Sequence, residues 1–170
     1  MAIATVGKSN TRIEDETKLI FERIFNAPRE LVFEAYSSAE HIMKWWGPEG
    51  WPTVKCTMDF NVGGKWHYCM KGPDGTEAWG IATYTAIERP ALIAYLDAFS
   101  DADANTVPPE MTIEMRFDER GSQTLVTGTS YFGDAEALKT VMEMGMEQGM
   151  NETLDHLDTY LEELKAQAAR

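Results

Sequence analysis

The side chains of this 170-residue sequence that could carry chemistry are few and scattered. Its histidines are His41, His67 and His156, and its cysteines are Cys56 and Cys69. His67 and Cys69 share one face of a strand-like segment and Cys56 precedes them, so the three could in principle bind a metal ion. Their spacing is not that of a known zinc module and no fourth ligand is evident. We therefore interpret the cysteines as free, partly buried thiols, and we predict no metal and no cofactor.

If the protein were an enzyme, its acid–base groups would have to project from strands into a cavity, where burial would perturb their pKa values. The sequence offers no nucleophile elbow and no nucleotide-binding fingerprint. We therefore favour a solvent-facing position for the candidates and predict no catalytic residue. The candidates are Glu22 or Arg23, His67, Tyr84, Glu114 and Arg116.

The charge balance excludes several classes of partner. Acidic residues outnumber basic ones 28 to 15, which gives a formal net charge of −13. Such a charge repels phosphate backbones and anionic lipid, so we predict no nucleic-acid or membrane partner. No apolar run is long enough to span a membrane, and the first residues lack the apolar stretch of a signal peptide. We expect a cytoplasmic protein with a single domain.

The order of elements predicts the architecture. Residues 1–16 are polar and unpatterned, so we expect a flexible tail, then a domain over 17–165 and a short tail over 166–170. A strand over 17–26 is followed by two short helices, with Pro28 in the first turn of one and Ser38 capping the other. About six alternating segments follow, and residues 134–165 have the apolar spacing of one long helix.

These elements predict an α+β helix-grip fold, in which a curved antiparallel sheet of about seven strands is covered by the long C-terminal helix. Gly145 and Gly149 stand one turn apart within that helix, next to its methionines. Glycine in a helix costs about 1 kcal/mol relative to alanine, which suggests either close packing or space for a ligand. We predict a ligand-binding cavity between sheet and helix that is lined by Trp66, Tyr68, Met111, Met115, Met142, Met146 and Met150.

An ordinary packed core is the alternative interpretation, since methionine stripes at helical spacing usually belong to one. The same choice applies to Trp45, Trp46 and Trp51, which surround Gly47-Pro48 at the predicted mouth of the cavity. Aromatic side chains there could gate a ligand, but we favour packing.

Four segments together resemble the activator of heat-shock protein 90 ATPase homologue family. They are RIFNAPRELVFEAYSSAEHIMKWWGP near the start, VGGKWHYCMKGPDG and DAFSDADANTVPPEM in the middle, and GMEQGMNETLDHLDTYL near the end. The resemblance extends over residues 17–165 and implies the START-like, birch-pollen-allergen-like (SRPBCC, polyketide cyclase) superfamily, which has the helix-grip fold. It also implies a hydrophobic cavity. Met150 departs from the family pattern, because relatives often carry a tryptophan there.

The resemblance leaves function open, because this fold serves carriers, cyclases and chaperone cofactors alike. Our main hypothesis is that the protein binds a small hydrophobic molecule as a carrier or sensor. A partner of a chaperone, similar to the ATPase activators, is the first alternative, although the chain is too short for the further N-terminal domain of the eukaryotic activators. A cyclase or hydrolase is the second alternative. Exposed sheet edges are compatible with a homodimer as well as a monomer.

Overall fold

A computed structural model describes residues 5–169, which form one antiparallel sheet and a set of helices. Within those residues we find eight strands and four helices. The strands are β1 Asn10–Glu14, β2 Lys18–Phe25, β3 Thr53–Met58, β4 Lys65–Lys71, β5 Glu77–Glu88, β6 Leu92–Ser100, β7 Thr106–Arg120 and β8 Gln123–Tyr131. The helices are α1 Arg29–Ala35, α2 Ala39–Trp45, α3 Ala135–Glu143 and α4 Met146–Ala168.

The sheet order is β1-β2-β8-β7-β6-β5-β4-β3, with every pair antiparallel. From β3 to β8 each strand lies beside the next, whereas α1 and α2 carry the chain from β2 at one side of the sheet to β3 at the other. Apolar residues of α4, such as Leu157 and Leu161, are buried in the same core as the inner face of the sheet. The helix-grip fold predicted from the sequence is therefore confirmed.

Alternation along β7 shows why the inner face can be read from the sequence. Met111, Ile113, Met115 and Phe117 are buried, while the residues between them face outward. A strand with one buried face must alternate in this way, because successive side chains point to opposite sides of the sheet. The second short helix begins as predicted, since the Ser38 side chain accepts a hydrogen bond from the His41 N–H at the start of α2. The first begins at Arg29, so Pro28 is its N-cap and lies just before the first turn rather than within it.

The ends of the domain differ from the sequence-based boundaries. The predicted N-terminal tail contains β1, which pairs with β2 along its whole length. This edge strand is polar and its Ile13 is exposed, so it lacks the alternation by which a strand is recognised. At the other end, α4 continues to Ala168, beyond residue 165.

The predicted long helix is in fact two helices, and the prediction of a single one was wrong. Gly145 lies between α3 and α4 with a φ of 86°, in the left-handed region. Residues other than glycine rarely adopt this conformation, and it ends the run of helical hydrogen bonds. Gly149 lies inside α4, as expected.

A buried arginine joins the sheet to α4. Arg23 points inward from β2 and is only 1% exposed. Its guanidinium binds the carboxylates of Asp155, at 2.7 Å, and Asp158. Desolvation by burial raises the pKa of Asp158, although the contact with Arg23 opposes the shift. This ion pair fixes the distance between the helix and the first half of the sheet.

Within residues 5–169, no helix combines the length and the apolar character needed to cross a lipid bilayer.

Candidate functional site

A cavity of about 270 Å³ lies between the inner face of the sheet and the first turns of α4. Its lining is mostly apolar and comes from distant parts of the chain, because the sheet curves around the helix. The strands contribute Phe21, Tyr68, Met70, Tyr95, Asp97, Ile113, Met115 and Ser130. The C-cap of α1 contributes Tyr36, and the segment after α2 contributes Trp46, Gly47 and Pro48. Helix α4 contributes Met146, Gly149, Met150, Thr153 and Leu154.

Gly149 leaves room on the helical wall of the cavity. A Cβ atom added there would lie 3.8 Å from the Cβ of Pro48, an ordinary van der Waals distance. A larger side chain would therefore fill the gap between α4 and the segment that follows α2. Met146 and Met150, one turn apart on the same helix, line the cavity beside it with flexible thioether side chains.

The segment Gly47–Glu49 at the rim is fastened to α4 by His156. The Nδ1 atom of His156 lies 2.8 Å from the Gly47 carbonyl oxygen, and Nε2 lies 3.0 Å from a carboxylate oxygen of Glu49. Both partners are hydrogen-bond acceptors, so His156 contacts the segment through both the backbone of Gly47 and the side chain of Glu49. The backbone N–H of Glu49 also donates to the carboxylate of Glu152 on α4, at 3.3 Å.

Aromatic rings form the wall next to this rim. Trp46 packs edge-on against Trp66, with centroids 4.8 Å apart, and against Tyr68, at 5.8 Å. Burial raises the pKa of Tyr68 and of Tyr95 far above the usual phenol value. Both rings therefore present neutral hydroxyl groups to their surroundings at physiological pH.

Asp97 is the carboxylate of this cavity. It lies on β6 two residues after Tyr95, so the two side chains share the inner face. Asp97 is half-buried and lines the cavity. Desolvation raises its pKa to about 7, although the Ala98 N–H opposes the shift by stabilising the charged form. The negative charge of Asp97 in turn contributes to the raised pKa values of Tyr68 and Tyr95.

The comparisons with known proteins show the family and the fold. The sequence model of the family described as "Activator of Hsp90 ATPase homolog 1-like protein" matches residues 26–162. The chain belongs to this family. The matched region begins after β2 and ends within α4, so it contains most of the lining but not Phe21.

Several solved structures have the same fold as this family member. A protein from Arthrobacter aurescens is 30% identical, with a TM-score of 0.85 over 91% of each chain. One from Mycobacterium smegmatis is 30% identical, with a TM-score of 0.82 over 89% of this chain and 95% of that one. One from Staphylococcus epidermidis is 34% identical, with a TM-score of 0.76 over 89% and 93% of the two chains. The comparison with curated proteins gave no match.

The seven residues predicted to bind a ligand in this family member fall into two groups. Tyr68, Met115, Met146 and Met150 line the cavity. The other three lie in the core around it: Trp66 is 2% exposed, Met111 is 7% exposed and Met142 packs against the core from α3. Their role in binding stays a prediction. Of the tryptophans near the rim, Trp46 lines the cavity, Trp45 is buried in the core and Trp51 covers Gly72.

The acid–base candidates divide between the two faces of the sheet. Glu22 binds Arg12 on the outer face, and Glu114 binds Arg116 there. His67 is also outside, where its Nε2 lies 2.9 Å from the Asp101 carbonyl oxygen. The exceptions are Arg23, which is bound to α4, and Tyr84, which is buried in the core. Neither lines the cavity.

The three residues weighed as metal ligands do not converge. Cys56 is paired with Tyr68 across β3 and β4, so it faces inward, whereas His67 and Cys69 flank Tyr68 and face outward. Among residues 5–169 no group of three potential ligands is close enough to hold a metal ion. Both cysteines are free thiols, and burial raises the pKa of Cys56 to about 11.

Proposed function

We propose that this protein binds one small, largely apolar molecule in the cavity between the sheet and α4. The observation that supports the proposal is the mostly apolar lining of a space of about 270 Å³. A void of this size in a packed core would lose many dispersion contacts and cost stability, so a ligand that fills it would restore them.

The size of the cavity limits the ligand. Small-molecule sites commonly measure about 300 to 1,000 Å³, so this one suits a molecule no larger than about two fused rings. Each 100 Å² of apolar ligand surface that is buried contributes about 2.5 kcal/mol before the costs of association. Apolar burial therefore supplies most of the affinity, and the polar groups Asp97 and Ser130 determine the orientation.

A ligand can enter or leave where the Gly47–Glu49 segment meets α4. This segment carries Gly47 and Pro48 of the lining and is held to the helix through the side chains of His156 and Glu152. Two of the three hydrogen bonds that join the segment to α4 are exposed, so we expect this part of the wall to open. A carrier or a sensor needs such a route.

Native mass spectrometry of the purified protein, followed by extraction, would reveal a molecule that co-purifies. A fluorescence titration with 1-naphthalenemethanol would measure binding to the apo protein. Met150→Trp would fill the cavity, and we expect it to abolish or strongly weaken binding. Met144→Trp introduces the same ring at a position that is 65% exposed and is the matched control. Equal affinities of the wild type and Met150→Trp, or no binding by the wild type, would contradict the proposal.

The family description favours a second candidate, stimulation of an Hsp90-type ATPase. Such a role would use the surface of the protein rather than the cavity. The ATPase rate of an Hsp90 from the same organism, measured with and without the protein, tests it directly. An increase that persists in Met150→Trp would support the chaperone role over ligand binding, and an unchanged rate at saturating protein would reject it.

A further inference from the structure

We propose that Asp97 selects, among hydrophobic molecules of suitable size, those whose polar end donates hydrogen bonds, with protonated amines preferred and carboxylates excluded. This inference rests on the proposed function, because it assigns a ligand class to the same cavity. It concerns a residue whose position follows from the pairing of β6 with its neighbours.

The surroundings of Asp97 within the sheet supply no side-chain partner for its carboxylate. Its cross-strand neighbours are Ala82 on β5 and Met111 on β7, and neither side chain donates hydrogen bonds. The Ala98 N–H stabilises the charged form. Within residues 5–169, no side chain donates a hydrogen bond to the Asp97 carboxylate or forms an ion pair with it.

The remaining cavity wall carries no compensating charge. None of the lining residues in the described chain is a lysine, an arginine or a histidine. Arg23 is inside the fold but is bound to Asp155 and Asp158. The Thr153 hydroxyl donates to the Gly149 carbonyl oxygen, at 2.9 Å, and is thereby occupied. The hydroxyl groups of Tyr68, Tyr95 and Ser130 also belong to the lining, but none of them donates a hydrogen bond to Asp97. A donor on the molecule that occupies the cavity would therefore supply the missing partner.

Simple electrostatics then ranks the ligands. An ammonium group beside the carboxylate compensates its charge and forms a charge-assisted hydrogen bond, which is the strongest kind available in a poorly solvated site. A hydroxyl group donates a neutral hydrogen bond. A carboxylate ligand would place a second negative charge in the same apolar space, where repulsion and desolvation both oppose binding.

Three probes with one ring system test this ranking: 1-naphthylmethylamine, 1-naphthalenemethanol and 1-naphthoate. Titrations at about pH 8, where Asp97 is mostly ionised, should give the order amine, alcohol, carboxylate. We expect the amine to bind about tenfold or more tightly than the carboxylate. Asp97→Asn keeps the shape of the side chain and removes its charge, so this preference should disappear while the alcohol still binds.

The control has to separate Asp97 from the overall negative charge of the protein. Asp118→Asn makes the same change of charge at an exposed position on β7 and should leave all three affinities unaltered. Added salt should also preserve the preference, because it screens surface charges more than buried ones.

Equal binding of amine and carboxylate by the wild type would overturn the inference, and so would an unchanged preference in Asp97→Asn. The first criterion needs no variant, so it holds even if Asp97→Asn does not fold. In either case, binding of the alcohol would leave the cavity function intact. If no probe binds to the wild type, the proposed function fails and the assignment of a ligand class fails with it.

Discussion

Replacing Asp97 by asparagine should stabilise the ligand-free protein at neutral and alkaline pH. The pKa of Asp97 is raised to about 7 by burial beside the cavity, whereas an aspartate in the unfolded chain has a pKa near 3.9. Between these values the folded protein holds a proton that the unfolded chain has lost. The free energy of unfolding therefore falls as the pH rises through this interval.

The size of the effect follows from the difference between the two pKa values. A difference of about 3 corresponds to about 4 kcal/mol, since each pKa unit is worth about 1.4 kcal/mol. Ionised Asp97 thus reduces the stability of the fold by up to about 4 kcal/mol above pH 7, and by almost nothing below pH 4. Water in the cavity would lower this figure, because it solvates the carboxylate.

Urea unfolding of the wild type and Asp97→Asn at several pH values between about 4 and 8 measures this quantity. The difference in unfolding free energy should be small at pH 4 and should grow in favour of Asp97→Asn up to about pH 7. Other titrating groups, such as Asp158, are common to both proteins and cancel in the difference. A difference that does not change with pH, or that favours the wild type at pH 8, would refute the assignment of Asp97 as a carboxylate in a desolvated site.

Two further pairs of variants test the structure of α4 and its attachment. Gly149→Ala should raise the free energy of unfolding by up to about 1 kcal/mol, because the added methyl group meets only ordinary contacts. Gly145→Ala should lower it by about 1–2 kcal/mol, because the φ of 86° disfavours any side chain. Thermal denaturation compares the two variants, and effects of the same sign and size would contradict this account. Arg23→Met should lower the free energy of unfolding less than the double change Asp155→Asn with Asp158→Asn. The double change leaves a fully buried guanidinium without a counter-ion and should cost about 3–5 kcal/mol. The reverse order in urea unfolding would show that the ion pair does not hold the helix.

The inner face of the sheet could be predicted wherever one face of a strand is polar. In β7, Thr112, Glu114 and Arg116 separate the buried residues, so the alternation identifies Met115 as inward-facing. β6 does not allow this, because Leu96 on its outer face is as apolar as Tyr95 on its inner face. The facing of Asp97 was therefore not predicted. Its signal was a single charged residue in an otherwise apolar strand.

How deeply a side chain lies in the core, and which backbone conformation a residue adopts, were harder to predict than the face of the sheet on which a side chain lies. Trp66 and Tyr68 lie two positions apart on the same face of β4, yet of the two only Tyr68 lines the cavity. The position of Trp66 depends on how Trp46 packs against it. Gly145 was recognised as unusual in a helix, but its positive φ follows from the way in which α3 and α4 pack. Periodicity describes one element at a time and contains no information on such tertiary contacts.

The effect of Asp97 on stability and its proposed selectivity for ligands have one cause, which is the desolvation of its carboxylate. A carboxylate without a side-chain partner beside an apolar cavity reduces stability, and a fold that needed only a packed core would be more stable with an apolar or amide side chain at that position. A cationic or hydrogen-bonding ligand compensates the charge, and the free energy lost in the empty protein then contributes to binding. The apolar wall supplies affinity for many molecules of similar size, so discrimination among them has to come from the polar groups. In this cavity the carboxylate of Asp97 is the strongest of these groups, because it is the one that carries a charge.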